Sequence, residues 1–212
     1  MFASQCLETR WLDADEESHK TLVVLHGRGD SMDGFMWMPE HVNLPINYLL
    51  VNAPDEYYTG YSWYDLEPNQ GPGIIRSRSL LDQLSQEIRD QLPNHTVCFF
   101  GFSQGCLMCM EWGLRHAHRW AGYVGVSGFC FSPETLIKEL GPHAKDVPFL
   151  VTHGRQDEVL PYSRTSSQVG WLNEQGLSLR FESYDKTHTI DPQDELPVIR
   201  DFLAGCFKIT DP

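Results

Sequence analysis

The sequence has few cationic side chains and no long apolar run. It contains 16 Lys and Arg against 29 Asp and Glu in 212 residues, so its formal net charge is −13. This charge repels nucleic acids and anionic membrane surfaces, and we expect no nucleic-acid partner and at most a transient membrane contact. No stretch approaches the ~20 consecutive apolar residues that a membrane-spanning helix needs.

The sequence also lacks signs of secretion and of disulfide bonding. Its first eight residues contain no basic segment followed by an apolar one, so no secretory signal is expected in the chain as given. The six cysteines are irregularly spaced. Four of them fall in predicted core elements: Cys98, Cys106, Cys109 and Cys130. We therefore expect buried free thiols, no metal site and a cytoplasmic protein.

Apolar segments alternate with segments of helical periodicity along the chain. Strands that are almost entirely apolar are typical of a parallel sheet covered by helices on both faces. The sequence therefore predicts a single doubly wound α/β domain over residues 1–212, with a mostly parallel sheet and no large lid. Strands are predicted at 21–25, 48–52, 96–100, 122–126, 148–152 and 178–184, and helices at 76–92, 104–118, 164–175 and 194–203.

Three segments have no firm assignment from the sequence. The irregular stretches 53–73 and 127–147 are long for a compact domain, and loops of this length usually serve function. The first is rich in aromatic residues, which either line a pocket or simply cover the core. The apolar segment 35–38 belongs either to an acyl-binding groove or, as we favour, to the start of a buried helix.

The sequence Gly-Phe-Ser-Gln-Gly at 101–105 lies between a predicted strand and a predicted helix. This order is typical of a nucleophile elbow, a sharp turn that holds a serine beyond the end of a strand. The turn needs Gly101 and Gly105 because a Cβ atom at either position would collide with the neighbouring strand or helix. The motif is short enough to occur by chance, so the prediction depends on partner residues elsewhere.

Partners for Ser103 follow it in the order acid, then histidine. A serine hydroxyl needs a base near neutral pH, and the imidazole needs a carboxylate that orients it. Asp157 follows the strand at 148–152, and His188 follows the last strand, which is the order Ser, Asp, His of the α/β-hydrolase fold. The rival acids are Asp185, Asp191 and Glu158.

The oxyanion of a tetrahedral intermediate is best stabilised by backbone N–H groups. The candidates are the N–H of Gln104, directly after the serine, and that of Arg28, in the turn after the first strand. His26 and His153 each precede a glycine at a strand end and are expected to line the site or to brace loops. The candidate pocket residues are His26, Trp63, Tyr64 and Phe102.

Five motifs occur together in the order of a known family. They are Leu-His-Gly-x-Gly-Asp at 25–30, Trp-Tyr-Asp at 63–65, the elbow at 101–105, Val-Ser-Gly at 126–128 and His-Gly-x-x-Asp-x-x-x-Pro at 153–161. From about Thr21 to Leu203 the chain resembles the phospholipase/carboxylesterase family, which includes acyl-protein thioesterases and small bacterial carboxylesterases. The resemblance implies an α/β-hydrolase fold and a Ser103–Asp157–His188 triad. It also implies an oxyanion hole from the Arg28 and Gln104 backbone and hydrolysis of esters or thioesters without a cofactor.

Two positions depart from the family pattern. Arg28 stands where relatives usually have an apolar residue, often leucine, and is expected to place a cation at the pocket mouth. Lys186 and Thr187 precede His188, where relatives commonly have small residues. Both departures are expected to affect the substrate more than the chemistry.

The predicted function is therefore hydrolysis of a carboxylic ester or thioester, on a small molecule or an acylated protein, through an acyl-enzyme on Ser103. The alternative is a non-catalytic module that binds a hydrophobic ligand or partner. No motif indicates an oligomeric state.

Overall fold

The computed structural model describes residues 2–210, which form a seven-stranded sheet between two layers of helices, with a separate two-stranded sheet. The strands are β1 (Thr9–Leu12), β2 (Lys20–Leu25), β3 (Asn47–Val51), β4 (Asp55–Tyr57), β5 (Gly60–Ser62), β6 (Thr96–Phe102), β7 (Gly122–Val126), β8 (Phe149–Gly154) and β9 (Leu179–Tyr184). The helices are α1 (Met38–Val42), α2 (Gln70–Gln91), α3 (Gln104–Met108), α4 (Pro133–Lys138), α5 (Tyr162–Glu174) and α6 (Glu195–Phe207).

The large sheet has the strand order β1-β3-β2-β6-β7-β8-β9. Strand β1 pairs antiparallel with β3, and every other neighbouring pair in this sheet is parallel. The prediction of a mostly parallel, doubly wound sheet is thus confirmed. In such a sheet the carboxyl ends of the strands lie along one edge, where ligands bind.

Apolar residues cover both faces of the large sheet. In β2, Val23 and Leu25 belong to one hydrophobic cluster, whereas Leu22 and Val24 belong to the other. Side chains of successive strand residues point to opposite faces, so one run of apolar residues serves both clusters. The first cluster includes apolar residues of α2, α3 and α5, and the second includes apolar residues of α1 and α6.

The predicted helix at 104–118 is wrong at its C-terminal end. Helix α3 widens into one π-helical turn at Cys109–Gly113, and no helix follows before β7. The chain turns back so that Trp120 packs into the first cluster and the N–H of Ala121 donates to the carbonyl of Val97. This turn is what places β7 beside β6.

The three unassigned segments contain short elements. Residues 53–73 form the hairpin of β4 and β5 and the start of α2, and residues 127–147 contain α4. A 3-10 turn at Met32–Phe35 precedes α1, and Phe35 and Met38 are buried in the second cluster. The segment 35–38 therefore leads into a helix, with Phe35 and Met38 buried and Met36 exposed. No helix within residues 2–210 is long and apolar enough to span a bilayer.

Candidate active site

Ser103 occupies a strained turn between β6 and α3. Its backbone angles are φ 54° and ψ −110°, in a region that side-chain-bearing residues rarely adopt. A Cβ atom at Gly101 would overlap the carbonyl oxygen of Gly105, and one at Gly105 would overlap the carbonyl oxygen of Leu25. Only glycine fits at these two positions, and together they let β6 turn sharply into α3.

The carboxyl ends of β6, β8 and β9 bring three of the predicted side chains together. The Oγ of Ser103 lies 3.0 Å from Nε2 of His188, and Nδ1 of His188 lies 2.8 Å from Oδ2 of Asp157. Two of the three rival acids lie elsewhere: Asp185 pairs with Arg155 at 2.8 Å, and Asp191 accepts hydrogen bonds from backbone N–H groups at the start of α6.

Asp157 is held in its charged form by hydrogen bonds. Its Oδ1 accepts the N–H groups of Val159 at 2.9 Å and of Leu160 at 2.8 Å. Burial raises the pKa of Asp157, but the hydrogen bonds from Leu160, His188 and Val159 outweigh that effect and hold the pKa below its usual value. The carboxylate therefore stays ionised and can stabilise a positive charge on His188.

His153 and His26 do not line the site. Each forms a hydrogen bond with the backbone of a loop near it. The Nε2–H of His153 donates to the carbonyl of Leu160 at 2.9 Å, and Nε2 lies 3.3 Å from Oδ2 of Asp157. In the turn after β2, Nε2 of His26 accepts the N–H of Ala53 at 3.0 Å. Burial lowers the pKa of both imidazoles, so both are neutral near pH 7.

Arg28 and Gln104, which carry the two predicted oxyanion donors, line the same cavity as Ser103. The N–H of Gln104 opens α3, and that of Arg28 lies in the turn after β2. Among the loop and turn contacts of the described residues, neither N–H has a backbone acceptor. The Gln104 side chain is used differently: its Oε1 accepts the N–H of Trp63 at 2.9 Å, and its Nε2 donates to the carbonyl of Tyr64 at 2.7 Å. It thereby fixes the aromatic segment beside the serine.

A cavity of about 540 Å³ opens at Ser103. Of the four predicted pocket residues, Tyr64 lines this cavity. The Phe102 ring lies instead against the His188 imidazole, with a centroid separation of 5.1 Å. Trp63 is fully buried, and its Nε1–H donates to the carbonyl of His26 at 2.9 Å. His26 is also buried, so Trp63 and His26 both lie behind the wall of the cavity.

Most of the lining comes from residues that sequence reasoning missed. They lie on the segments 65–70 and 129, within the two long irregular stretches, and on 159–164, outside both. Asp65 and Pro161 also belong to two of the motifs that carry the family resemblance. The polar and aromatic members are Asp65, Glu67, Gln70, Phe129 and Arg164, and the aliphatic and proline members are Leu66, Val159, Leu160 and Pro161.

Comparison with known proteins decides the family. The profile of the family described as Phospholipase/Carboxylesterase matches residues 11–207. The chain belongs to this family. It is 30% identical over 167 residues to acyl-protein thioesterase 1 of Schizosaccharomyces pombe, covering 72% of this chain and 75% of that protein. It is 28% identical over 225 residues to acyl-protein thioesterase 1 of Candida albicans, covering 92% and 95%.

A solved structure gives the same result. The crystal structure of esterase PE8 superposes with a TM-score of 0.82 at 26% identity, covering 94% of this chain and 99% of that chain. The predicted phospholipase/carboxylesterase family and α/β-hydrolase fold are therefore confirmed. The chain is an enzyme of the class that hydrolyses esters or thioesters, not a non-catalytic module.

The two departures from the phospholipase/carboxylesterase pattern have different places in the structure. Arg28 lines the cavity beside Ser103, as expected. Lys186 does not, because its side chain is buried and its Nζ lies 2.6 Å from both carboxylate oxygens of Glu195. Lys186 instead ties the loop that carries His188 to the start of α6, and its effect on the substrate stays a prediction.

Proposed function

We propose that the chain hydrolyses carboxylic esters or thioesters through a covalent acyl-enzyme on Ser103. The observation that carries the proposal is the continuous hydrogen-bonded row from Ser103 Oγ through the His188 imidazole to the Asp157 carboxylate. As Oγ attacks the acyl carbon, Nε2 of His188 accepts its proton, and Asp157 stabilises the resulting imidazolium through Nδ1–H.

The remaining steps use groups at the same edge of the sheet. The carbonyl π electrons move to the oxygen, which accepts hydrogen bonds from the N–H groups of Arg28 and Gln104. Collapse of the tetrahedral intermediate expels the alcohol or thiol, which takes the proton from His188. Water then attacks the acyl-enzyme with His188 as base, and the products are a carboxylic acid and free Ser103.

The substrate is proposed to be a small-molecule ester or an acylated protein. The names of the relatives from Schizosaccharomyces pombe and Candida albicans support the acylated protein. The cavity of about 540 Å³ accommodates an acyl group from either class of substrate. Membrane contact, where it occurs, is proposed to be brief. The six free thiols support a reducing compartment, so the protein is proposed to be cytoplasmic.

The test is a chain-length series of p-nitrophenyl esters and acyl thioesters, assayed with the wild type and Ser103→Ala. We expect the substitution to lower kcat by about 10³-fold or more, because the loss of a triad member usually has this effect. A fluorophosphonate probe is expected to label Ser103 in the wild type. Ser167→Ala, an exposed serine on α5, is the matched control and should match the wild type in both assays. Near-full activity of Ser103→Ala would exclude the mechanism.

A further inference from the structure

Arg28 lines the cavity beside Ser103 and carries a guanidinium group without an acidic partner. Arg28 lies over the ring of Tyr57, 4.1 Å from its centroid, and its Nη2 donates to the Tyr57 hydroxyl at 2.5 Å. Among residues 2–210 it forms no ion pair, and that hydroxyl is the acceptor found for its side chain. The guanidinium therefore lacks a counterion and has most of its N–H donors available at a half-buried position.

The other charges of the cavity do not neutralise Arg28. Arg164 lies over the ring of Phe129 and pairs with Glu67 at 3.0 Å, so these two opposite charges compensate each other. Asp65 also lines the cavity, but it is exposed, and water screens its charge. In a molecule of net charge −13, Arg28 is thus an uncompensated cation on a residue that lines the cavity.

A second polar group in the cavity also lacks a partner. Gln70 is 6% exposed and lines the cavity, and its Oε1 has no hydrogen-bond partner among the described residues. A buried amide left unpaired costs about 1–3 kcal/mol, which a polar group of a ligand would recover. Rotation of the amide exchanges Oε1 and Nε2, so Gln70 can accept from or donate to a substrate. The cavity is therefore suited to a substrate with polar groups.

We propose that Arg28 makes the enzyme selective for esters or thioesters that carry a carboxylate or phosphate group close to the scissile carbonyl. The inference rests on the proposed function, because it places the Arg28 N–H against the carbonyl oxygen. The side chain of the same residue then begins a few bonds from the reacting atoms. A planar guanidinium with free N–H groups binds such anions through two parallel hydrogen bonds. The anion belongs either to the acyl group or to the leaving group.

The experiment compares matched substrates that differ in one charge. For the acyl group, the pair is mono-p-nitrophenyl glutarate and p-nitrophenyl valerate. For the leaving group, the pair is the butyryl ester of 4-hydroxybenzoate and that of 4-hydroxybenzamide. The measured quantity is the ratio of kcat/KM for the anionic and the neutral member of each pair. Intrinsic reactivity, and any disturbance of the Arg28 backbone, cancels when this ratio is compared between variants.

Arg28→Gln is expected to lower this ratio by about 10-fold or more in one of the two pairs, as the loss of a charge-assisted hydrogen bond usually does. The pair that responds identifies the part of the substrate that carries the anion. Arg28→Lys should keep part of the preference because it keeps the charge. The matched control is Arg180→Gln, which removes one exposed positive charge on β9 and should leave both ratios unchanged.

Two results would overturn the inference: unchanged ratios in both pairs, or an equal loss with Arg180→Gln, which would indicate a general charge effect. Its failure is distinguishable from failure of the proposed function. Hydrolysis of neutral esters that depends on Ser103 would persist if only the role of Arg28 were wrong. If the proposed mechanism were wrong, Ser103→Ala would keep that activity.

Discussion

At the scale of single residues, the geometry of Ser103 depends on its glycine neighbours. Ser103 has strained backbone angles, and the helix that follows can approach β2 only because Gly105 has no Cβ. The glycines are therefore as informative about this turn as the serine is. The cost of replacing one can be measured as a loss of stability, independently of activity.

Gly105→Ala tests this dependence. The added methyl group meets the backbone carbonyl of Leu25, which cannot move without displacing β2. We expect the free energy of unfolding to fall by about 3 kcal/mol, a typical cost of overpacking, and kcat to fall with it. The measurements are urea denaturation and p-nitrophenyl ester hydrolysis. The control is Gly170→Ala on α5, where no atom lies within 4 Å of the added Cβ. That substitution should stabilise the helix by about 0.5–1 kcal/mol. Wild-type stability of Gly105→Ala would contradict the steric account.

Residue type and chain order indicated three side chains that lie within hydrogen-bonding distance in the structure, but they did not indicate the lining of the cavity. Ser103, Asp157 and His188 each follow a strand, and parallel strands bring such positions to one edge. Their catalytic roles remain predictions. His26 and Trp63 also lie near that edge, yet they point inward. Which side of a loop faces the cavity is decided by packing, and a single sequence carries no signal for it.

At the scale of elements, six strands of the large sheet, including its edge strand β9, were predictable, whereas β1 and the hairpin strands β4 and β5 were not. The prediction for 122–126 agrees with β7, and that for 21–25 differs from β2 by one residue. These strands are buried on both faces, so their sequences are continuous apolar runs. Strand β1 was missed because all four of its residues are only partly buried, and β4 and β5 were missed because each has three residues. A short, partly buried strand leaves little trace in the sequence, whereas the six-residue edge strand β9 was predicted at 178–184.

The loop between β9 and α6 provides a test of how an element positions a side chain. The Nζ of Lys186 binds the Glu195 carboxylate and also donates to the carbonyl of Thr189 at 2.6 Å, next to His188. Both charged side chains are buried. Burial lowers the pKa of Lys186, although Glu195 acts in the opposite direction. Glu195→Gln leaves this cation without its counterion, and the loss of one partner of a buried pair costs about 3–5 kcal/mol. We expect Glu195→Gln to lower the free energy of unfolding by this amount. We also expect it to lower kcat by a larger factor than it raises KM.

A second buried ion pair provides the control for stability. Glu111 pairs with Arg115 at 2.6 Å with both side chains almost fully buried, and it holds the backbone near residues 130–132 rather than the His188 loop. Glu111→Gln should also destabilise the fold, as followed by thermal denaturation, although Arg115 keeps Glu139 as a counterion at 2.7 Å. It should leave kcat near the wild-type value well below the melting temperature. An equal loss of kcat in both variants would show that lost stability, and not the position of His188, determines activity.

At the scale of the whole molecule, the two hydrophobic clusters are separated only by the sheet. Alternate residues of β2 and β6 supply opposite clusters, so neither cluster can lose its strands while the other keeps them. Helices from both layers also pack on the same strands. We therefore propose that the chain is one cooperative domain over residues 1–212.

The free thiols provide probes for this cooperativity because they lie in both clusters. Cys98 belongs to the second cluster, and Cys106 and Cys109 belong to the first. Burial raises the pKa of Cys106 to about 12, so its thiol is unreactive until the fold opens. We expect pulsed alkylation across a urea gradient, followed by mass spectrometry, to label these buried cysteines at one common midpoint. Cys206 is only partly buried, and a hydrogen bond from Cys98 lowers its pKa, so its labelling without urea serves as the positive control. Separate midpoints for the two clusters would mean that the sheet does not couple its faces, and the single-domain assignment would fail.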